Sequence, residues 1–131
     1  MNSRRELGQQ GEALAAAYLQ AQGLTIIERN WRPTGTEFAP LMRGELDIVA
    51  QDGGTLVFVE VRSRHGAVGT AEESVTPAKR RQLLLLAQAY LASHGMHEEQ
   101  TDWRVDVVAL RFDTGSDRAS VNWLQAVGID L

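Results

Sequence analysis

Two pairs of charged side chains stand where a β-strand would project them together. Residues two apart in a strand share a face, so Glu45 and Asp47 in Glu45-Leu46-Asp47-Ile48-Val49-Ala50 point one way. Glu60 and Arg62 in the run Thr55–Arg62 do the same. That second run is rich in β-branched and aromatic residues, with Val57, Val59 and Val61 on one face and Leu56, Phe58 and then Glu60 on the other. A carboxylate thus occupies a position that the pattern reserves for an apolar side chain. Burying it is costly unless it is paired or bound to a cation, which makes Glu60 a candidate site residue. Gln51-Asp52-Gly53-Gly54 joins the two runs as a turn, and the resulting hairpin lets Asp47 and Glu60 converge. Mg²⁺ or Mn²⁺ suits such a pair, since it takes one or two carboxylates plus waters and phosphate oxygens. The competing reading is that Glu60 and Arg62 form a structural ion pair.

The elements that must position these groups follow from periodicity. Leu7, Ala13, Leu14, Ala17, Tyr18 and Ala21 recur at spacings of three and four, which predicts a helix over 4–22 ended by Gly23. Residues 24–31 read as a strand closed by Pro33, and 33–43 as a loop with two prolines and no period. A polar stretch over 63–76 leads to a second helix with Thr76 as cap, Pro77 in its first turn, an apolar stripe through Leu83, Leu86, Tyr90 and Leu91, and an end at His94-Gly95. Residues 104–112 form a further strand, and 119–124 a short last one.

Composition bounds the function. The chain has 131 residues, of which 44% are apolar and 23% charged, enough for one core, so one domain over 1–131 is expected. With no cysteine, thiol catalysis and Cys-ligated metals are excluded. No signal-peptide pattern and no run near the length of a membrane span is present, which points to a cytoplasmic protein away from the membrane. The net charge of −4 argues against coating nucleic acid by bulk positive charge. Its distribution is uneven, however: residues 1–81 hold ten basic and ten acidic side chains, and 82–131 hold three and seven. Arg4, Arg5, Arg29, Arg32, Arg43, Arg64, Arg80 and Arg81 are candidates for a phosphate-binding face, or else a solvated surface. Lys79 and Arg80 stand near a helix N-terminus, where the macrodipole disfavours cations and an anion would relieve the conflict.

Gly8-x-x-Gly11-Glu12, Arg29-Asn30-Trp31-Arg32, Gly44-Glu45-Leu46-Asp47-Ile48-Val49-Ala50, Val57-Phe58-Val59-Glu60-Val61-Arg62-Ser63-Arg64 and Arg104-Val105-Asp106-Val107-Val108 occur in order at fitting spacings. Together they resemble the YraN-like family, uncharacterised protein family 0102, which is similar to the PD-(D/E)xK nucleases and most closely to the archaeal-type Holliday junction resolvases. The resemblance implies an α/β, restriction-endonuclease-like fold, a mixed sheet of four to five strands flanked by helices. It implies Asp47 and Glu60 as metal-binding carboxylates, the carbonyl of Val61 as a further ligand, and Glu12 as an assisting carboxylate. The family pattern usually has lysine where this chain has Arg62. A guanidinium can grip phosphate but can hardly act as a base. Lys79, the only lysine, matches a basic position that the family carries at the start of the second helix, where some relatives place the missing lysine. The loop over 34–42 is longer than in typical members, and its Phe38 and Met42 are candidate contacts to substrate or a second subunit.

The implied function is a Mg²⁺- or Mn²⁺-dependent nuclease-like protein that hydrolyses DNA phosphodiesters, with branched or single-stranded structures as candidate substrates. Arg29, Arg32, Arg43, Arg64 and Arg80 would contact nucleic acid, and a homodimer would supply two sites for two strands. The alternative is a nucleic-acid-binding protein on the same fold whose catalysis is weakened or lost. Among the remaining residues, His65 is a candidate near the phosphate, and His94 and His97 a structural or solvated pair. Trp31, Trp103 and Trp123 are expected in the core or at sheet edges, Asp106 facing solvent or in a network, and Glu98, Glu99 and Asp102 in a solvated acidic turn.

Overall fold

An Ala-rich amphipathic segment becomes helix α1, Arg4–Ala21. Gly23, at φ +98°, reverses the chain so that the Leu24 N–H reaches the Leu19 carbonyl at 3.0 Å. In a computed structural model of the protein, residues 4–34, 44–65, 75–113, 115 and 118–127 are described, the side chains of residues 4–7 excepted. The strands are β1 (Thr25–Trp31), β2 (Leu46–Asp52), β3 (Thr55–His65), β4 (Trp103–Phe112) and β5 (Ala119–Leu124). Helix α2 (Pro77–Ser93) and a 3₁₀ turn (Glu98–Gln100) lie between β3 and β4. The five strands form one sheet in the order β1-β2-β3-β4-β5. Only β3 and β4 run parallel, as their connection through α2 requires; the other three pairings are antiparallel. This is the mixed sheet with flanking helices that the sequence implies.

Each helix covers one face. Ala15, Ala16 and Leu19 of α1 pack on Ile48, Ala50, Val57, Val59, Val108, Leu110 and Phe112. On the other face Leu83, Leu86, Ala87, Tyr90 and Leu91 of α2 pack on Leu46, Val49, Leu56, Phe58 and Val105. With both faces covered, the inner strands lose the solvent-facing alternation of a half-exposed sheet: β2 is buried from Leu46 to Ala50 and β3 from Leu56 to Glu60. Trp31 and Phe58 meet the Tyr90 ring edge-on at centroid distances of 5.2 and 5.3 Å. Among the described residues no helix is long and apolar enough to cross a membrane.

One expectation needs correction, and one choice left open is decided. Strand β3 continues past Arg62 to His65, because Ser63, Arg64 and His65 pair with Leu110, Arg111 and Phe112 of β4. Of the two settings expected for Asp106, solvent or a network, the structure shows the network, with the side chain fully buried. Its Oδ1 accepts from Arg104 Nε at 3.0 Å and from the Ala126 N–H at 2.9 Å, and its Oδ2 from Trp123 Nε1 at 2.9 Å. Arg104 also reaches Asp52 at 2.9 Å, which ties β4 to the end of β2.

Gly11 brings α1 against β3. A Cβ there would overlap the Ser63 hydroxyl and stand 3.3 Å from Leu110 Cδ1. Gly11→Ala is therefore expected to cost about 1–3 kcal/mol of stability by overpacking. Denaturant unfolding checks this, and Ser63→Ala in the same chain should return part of the loss.

Candidate carboxylate site

Four carboxylates gather at one end of the sheet. The left-handed φ of +100° at Gly44 is a conformation that suits glycine, and a Cβ there would stand 2.8 Å from Gln82 Nε2. The chain then enters β2 with Glu45 and Asp47. Pairing of β2 with β3 runs to Ile48 opposite Val59, so Asp47 stands one step beyond, on the line to Glu60. Instead of a ladder bond, the Asp47 carboxylate accepts the Val61 N–H at 2.8 Å. From the other side α1 supplies Glu12. One oxygen each of Glu12, Glu45 and Asp47 lie within 4.8 Å of one another.

Asn30 binds this group together. Its φ of +57° is a left-handed conformation that asparagine tolerates better than most residues. With its amide nitrogen turned to the acids, as its surroundings require, it donates to Glu45 Oε1 at 3.1 Å and to the Glu12 oxygens at 3.0 and 3.1 Å. Arg29 stands 3.6 Å from Glu12, and Arg32 Nε donates to Glu45 at 3.1 Å. An open cleft of about 410 Å³, lined by Gly8, Gln9, Glu12, Asn30, Arg32 and Glu45, leads to these groups.

Glu60 is held differently. Buried to 5% exposure, it has Arg62 Nη1 3.6 Å from Oε1 and Lys79 Nζ 3.7 Å from Oε2. Lys79 occupies the first turn of α2, where the Thr76 hydroxyl accepts its N–H at 3.1 Å. The anion that relieves a cation at this helix end is thus Glu60 itself.

The electrostatics follow from burial and crowding. Burial first, and the charge of Glu60 second, push the Asp47 carboxyl up to about 8 against the Val61 N–H, which favours the charged form. Burial raises Glu12, with the Glu45 charge adding and Asn30 and Arg29 opposing. Burial raises Glu60 too, opposed by Lys79 and Arg62. Burial and crowding thus favour a proton or a cation among these oxygens. Glu60 Oε2 is buried and without a hydrogen-bond partner among the described residues, an all-oxygen donor beside Asp47 that fits a hard divalent ion.

Glu12, Asp47, Glu60, Arg62 and Lys79 are thus brought together, and Val61 lies among them through its N–H; Arg29 and Arg32 border the group. Arg64 instead donates to the Ser63 carbonyl at 2.8 Å, and Arg80 is exposed on α2. Arg43, Phe38 and Met42 lie outside the described residues. His65 packs beside Phe112 at a centroid distance of 5.7 Å. His94 stacks on Tyr90 at 3.8 Å, at the C-terminal cap of α2, in the structural role expected of it. Sequence reasoning did not select Glu45 and Asn30. The shared direction of Glu45 and Asp47 was the available signal for the first, and the Arg29–Arg32 motif for the second.

Comparison with known proteins adds the lineage. The profile of uncharacterised protein family UPF0102 matches residues 11–110. A UPF0102 protein of Chloroflexus aurantiacus is 43% identical over 127 residues, covering 97% of each chain. One of Roseiflexus castenholzii is 43% identical over 119 residues, covering 90% of this chain and 89% of its own. One of Pseudomonas savastanoi is 40% identical, covering 95% and 94%.

Proposed function

The chain belongs to uncharacterised protein family UPF0102, and from its carboxylate geometry we propose that it is a divalent-cation-dependent nuclease-like protein that hydrolyses nucleic-acid phosphodiesters, DNA in the first instance. The single observation that carries this reading is the buried pair Asp47 and Glu60, near enough for each charge to act on the other, with Arg62 and Lys79 beside Glu60. Such groups are costly to keep in a core that has no use for them. A likeness to PD-(D/E)xK nucleases supports the same assignment: Asp47 and Glu60 would hold Mg²⁺ or Mn²⁺, with the carbonyl of Val61, next to Glu60 on β3, as a further donor.

The bound cation would supply charge stabilisation at the attacked phosphorus and a water of lowered pKa. The chain's own residues do the rest. Asn30 orients Glu12 and Glu45 by donating to both. Glu12, on the cleft side, is placed to accept a proton from water entering there. Arg62 stands beside Glu60 as a fixed cation that can orient a phosphate oxygen, and Lys79 adds a second charge from α2. Arg29 and Arg32 extend positive charge along the cleft wall toward a backbone phosphate. A second copy of the chain would supply the site for an opposite strand.

Labelled single-stranded, duplex and four-way-junction DNA in Mg²⁺, Mn²⁺ or EDTA tests the reading. Cutting is expected in Mg²⁺ or Mn²⁺, to stop with EDTA, and to fall at least about a hundredfold in Glu60→Ala. Salt-sensitive binding with no cutting of any substrate would favour the second reading, a binding protein whose catalysis is lost with the motif lysine. Arg62→Lys would then be expected to restore turnover.

A further inference from the structure

The buried Glu60 carries two counter-ions, Arg62 and Lys79. Arg62 and Lys79 each face a different oxygen, at 3.6 and 3.7 Å. Charge is the larger part of their action on Glu60, and Oε2 has no hydrogen-bond partner among the described residues, which leaves it open to a shorter bond. Lys79 is held in place by this charge and by Gln82 Oε1 at 3.3 Å. Its α-helical first turn contains no acidic residue, so the helix field alone would repel it.

Building on the reading of Asp47 and Glu60 as a cation site, we infer that Lys79 and Arg62 are internal counter-ions of Glu60 that a divalent cation supplants and a phosphodiester then engages, so that cation and phosphodiester bind with positive coupling. A divalent ion on Glu60 satisfies the carboxylate and leaves two monovalent cations next to a doubly charged neighbour. Without an anion, that repulsion weakens cation binding. A phosphodiester oxygen between Lys79 and Arg62 removes it, and by linkage the cation strengthens phosphodiester binding by the same factor. In the absence of both ligands the two side chains keep the buried carboxylate compensated, which lets the site persist in the folded protein.

Mn²⁺ titration of the full chain, read as free Mn²⁺ by electron paramagnetic resonance, tests the coupling with and without a phosphorothioate single strand that resists hydrolysis. The strand is expected to tighten Mn²⁺ binding at least about fivefold, within the usual range of allosteric coupling. A strand with neutral methylphosphonate linkages should not. Lys79→Met is expected to bind Mn²⁺ alone more tightly than the parent and to lose most of the coupling, whereas Lys79→Arg keeps it. Equal Mn²⁺ affinity with and without the phosphorothioate strand, or weaker Mn²⁺ binding in Lys79→Met, would overturn the inference while leaving the cation site intact. Failure of the parent to bind Mn²⁺ under either condition would remove the site and the inference together.

Discussion

Asp47→Asn is expected to yield a protein that is more stable than its parent in alkaline, metal-free buffer and that no longer binds divalent cations. The Asp47 side chain is 9% exposed and faces Glu60, and its carboxyl is pushed up from 3.8 to about 8. A group with a raised folded pKa binds its proton more tightly when folded. Its contribution is complete below the unfolded value near 3.8 and disappears as pH rises through about 8. The metal-free parent should therefore lose stability progressively between about pH 4 and about pH 8. Asparagine resembles the protonated acid: its Oδ1 still accepts the Val61 N–H, and its amide can donate to a neighbouring carboxylate. Above pH 8 the variant should exceed the parent by about 2 kcal/mol or more. The same exchange removes one of the two proposed anionic ligands, so Mn²⁺ should raise the melting temperature of the parent, more at pH 8 than at pH 6, and leave the variant unmoved. Thermal melts of both proteins across this range, with and without Mn²⁺, check each part.

Asp106→Ala should produce the largest loss of stability. The carboxylate is wholly buried and compensated by Arg104, the Trp123 indole N–H and the Ala126 N–H. Removing it strands three donors, one of them a cation with a side chain 16% exposed. Loss of one partner from a buried ion pair typically costs about 3–5 kcal/mol; Arg104 keeps Asp52 at 2.9 Å, but its Nε, the Trp123 indole and the Ala126 N–H lose their acceptor. For a chain of this size the melting temperature should fall by roughly 10–20 °C. Asp106→Asn keeps the shape and both acceptor directions only in part, so an intermediate loss is expected. The carboxylate site is on other residues, and the cation response of the folded variant should match that of the parent.

The contrast between Asp47 and Asp106 shows what the sequence could convey. Both interrupt apolar runs in strands. Period two could pair Asp47 with Glu45 and Glu60 with Arg62, because those relations lie along a strand and across a two-glycine turn. It could not reveal that α2 and α1 cover both faces, which buries Asp106 as fully as its valine neighbours. Helix α1 was readable from its alanine spacing and Gly23, and α2 from Thr76 and Pro77, since helix caps are local chemistry. The extension of β3 through Ser63-Arg64-His65 was not, since polar residues there are held by the parallel ladder to β4 rather than by their own propensity. Asn30 illustrates the same limit. Its motif is visible, yet its role depends on a left-handed backbone and on α1 arriving beside β2, which only tertiary packing fixes.

Four acids and four cations at one end of a sheet form a site that is nearly neutral overall and strongly polarised within. Glu12 and Glu45 line the cleft with Asp47 close to both, and the cations Arg62 and Lys79 stand beside Glu60. That arrangement suits a ligand pair of opposite charge better than either ion alone.

Anomalous diffraction from crystals soaked in Mn²⁺ tests the central claim most directly. A peak bonded to carboxylate oxygens of both Asp47 and Glu60, at the roughly 2.1 Å typical of a small divalent ion, is the expected result. A peak elsewhere, or none at Mn²⁺ concentrations that saturate any thermal shift, would contradict it and return these carboxylates to a structural role.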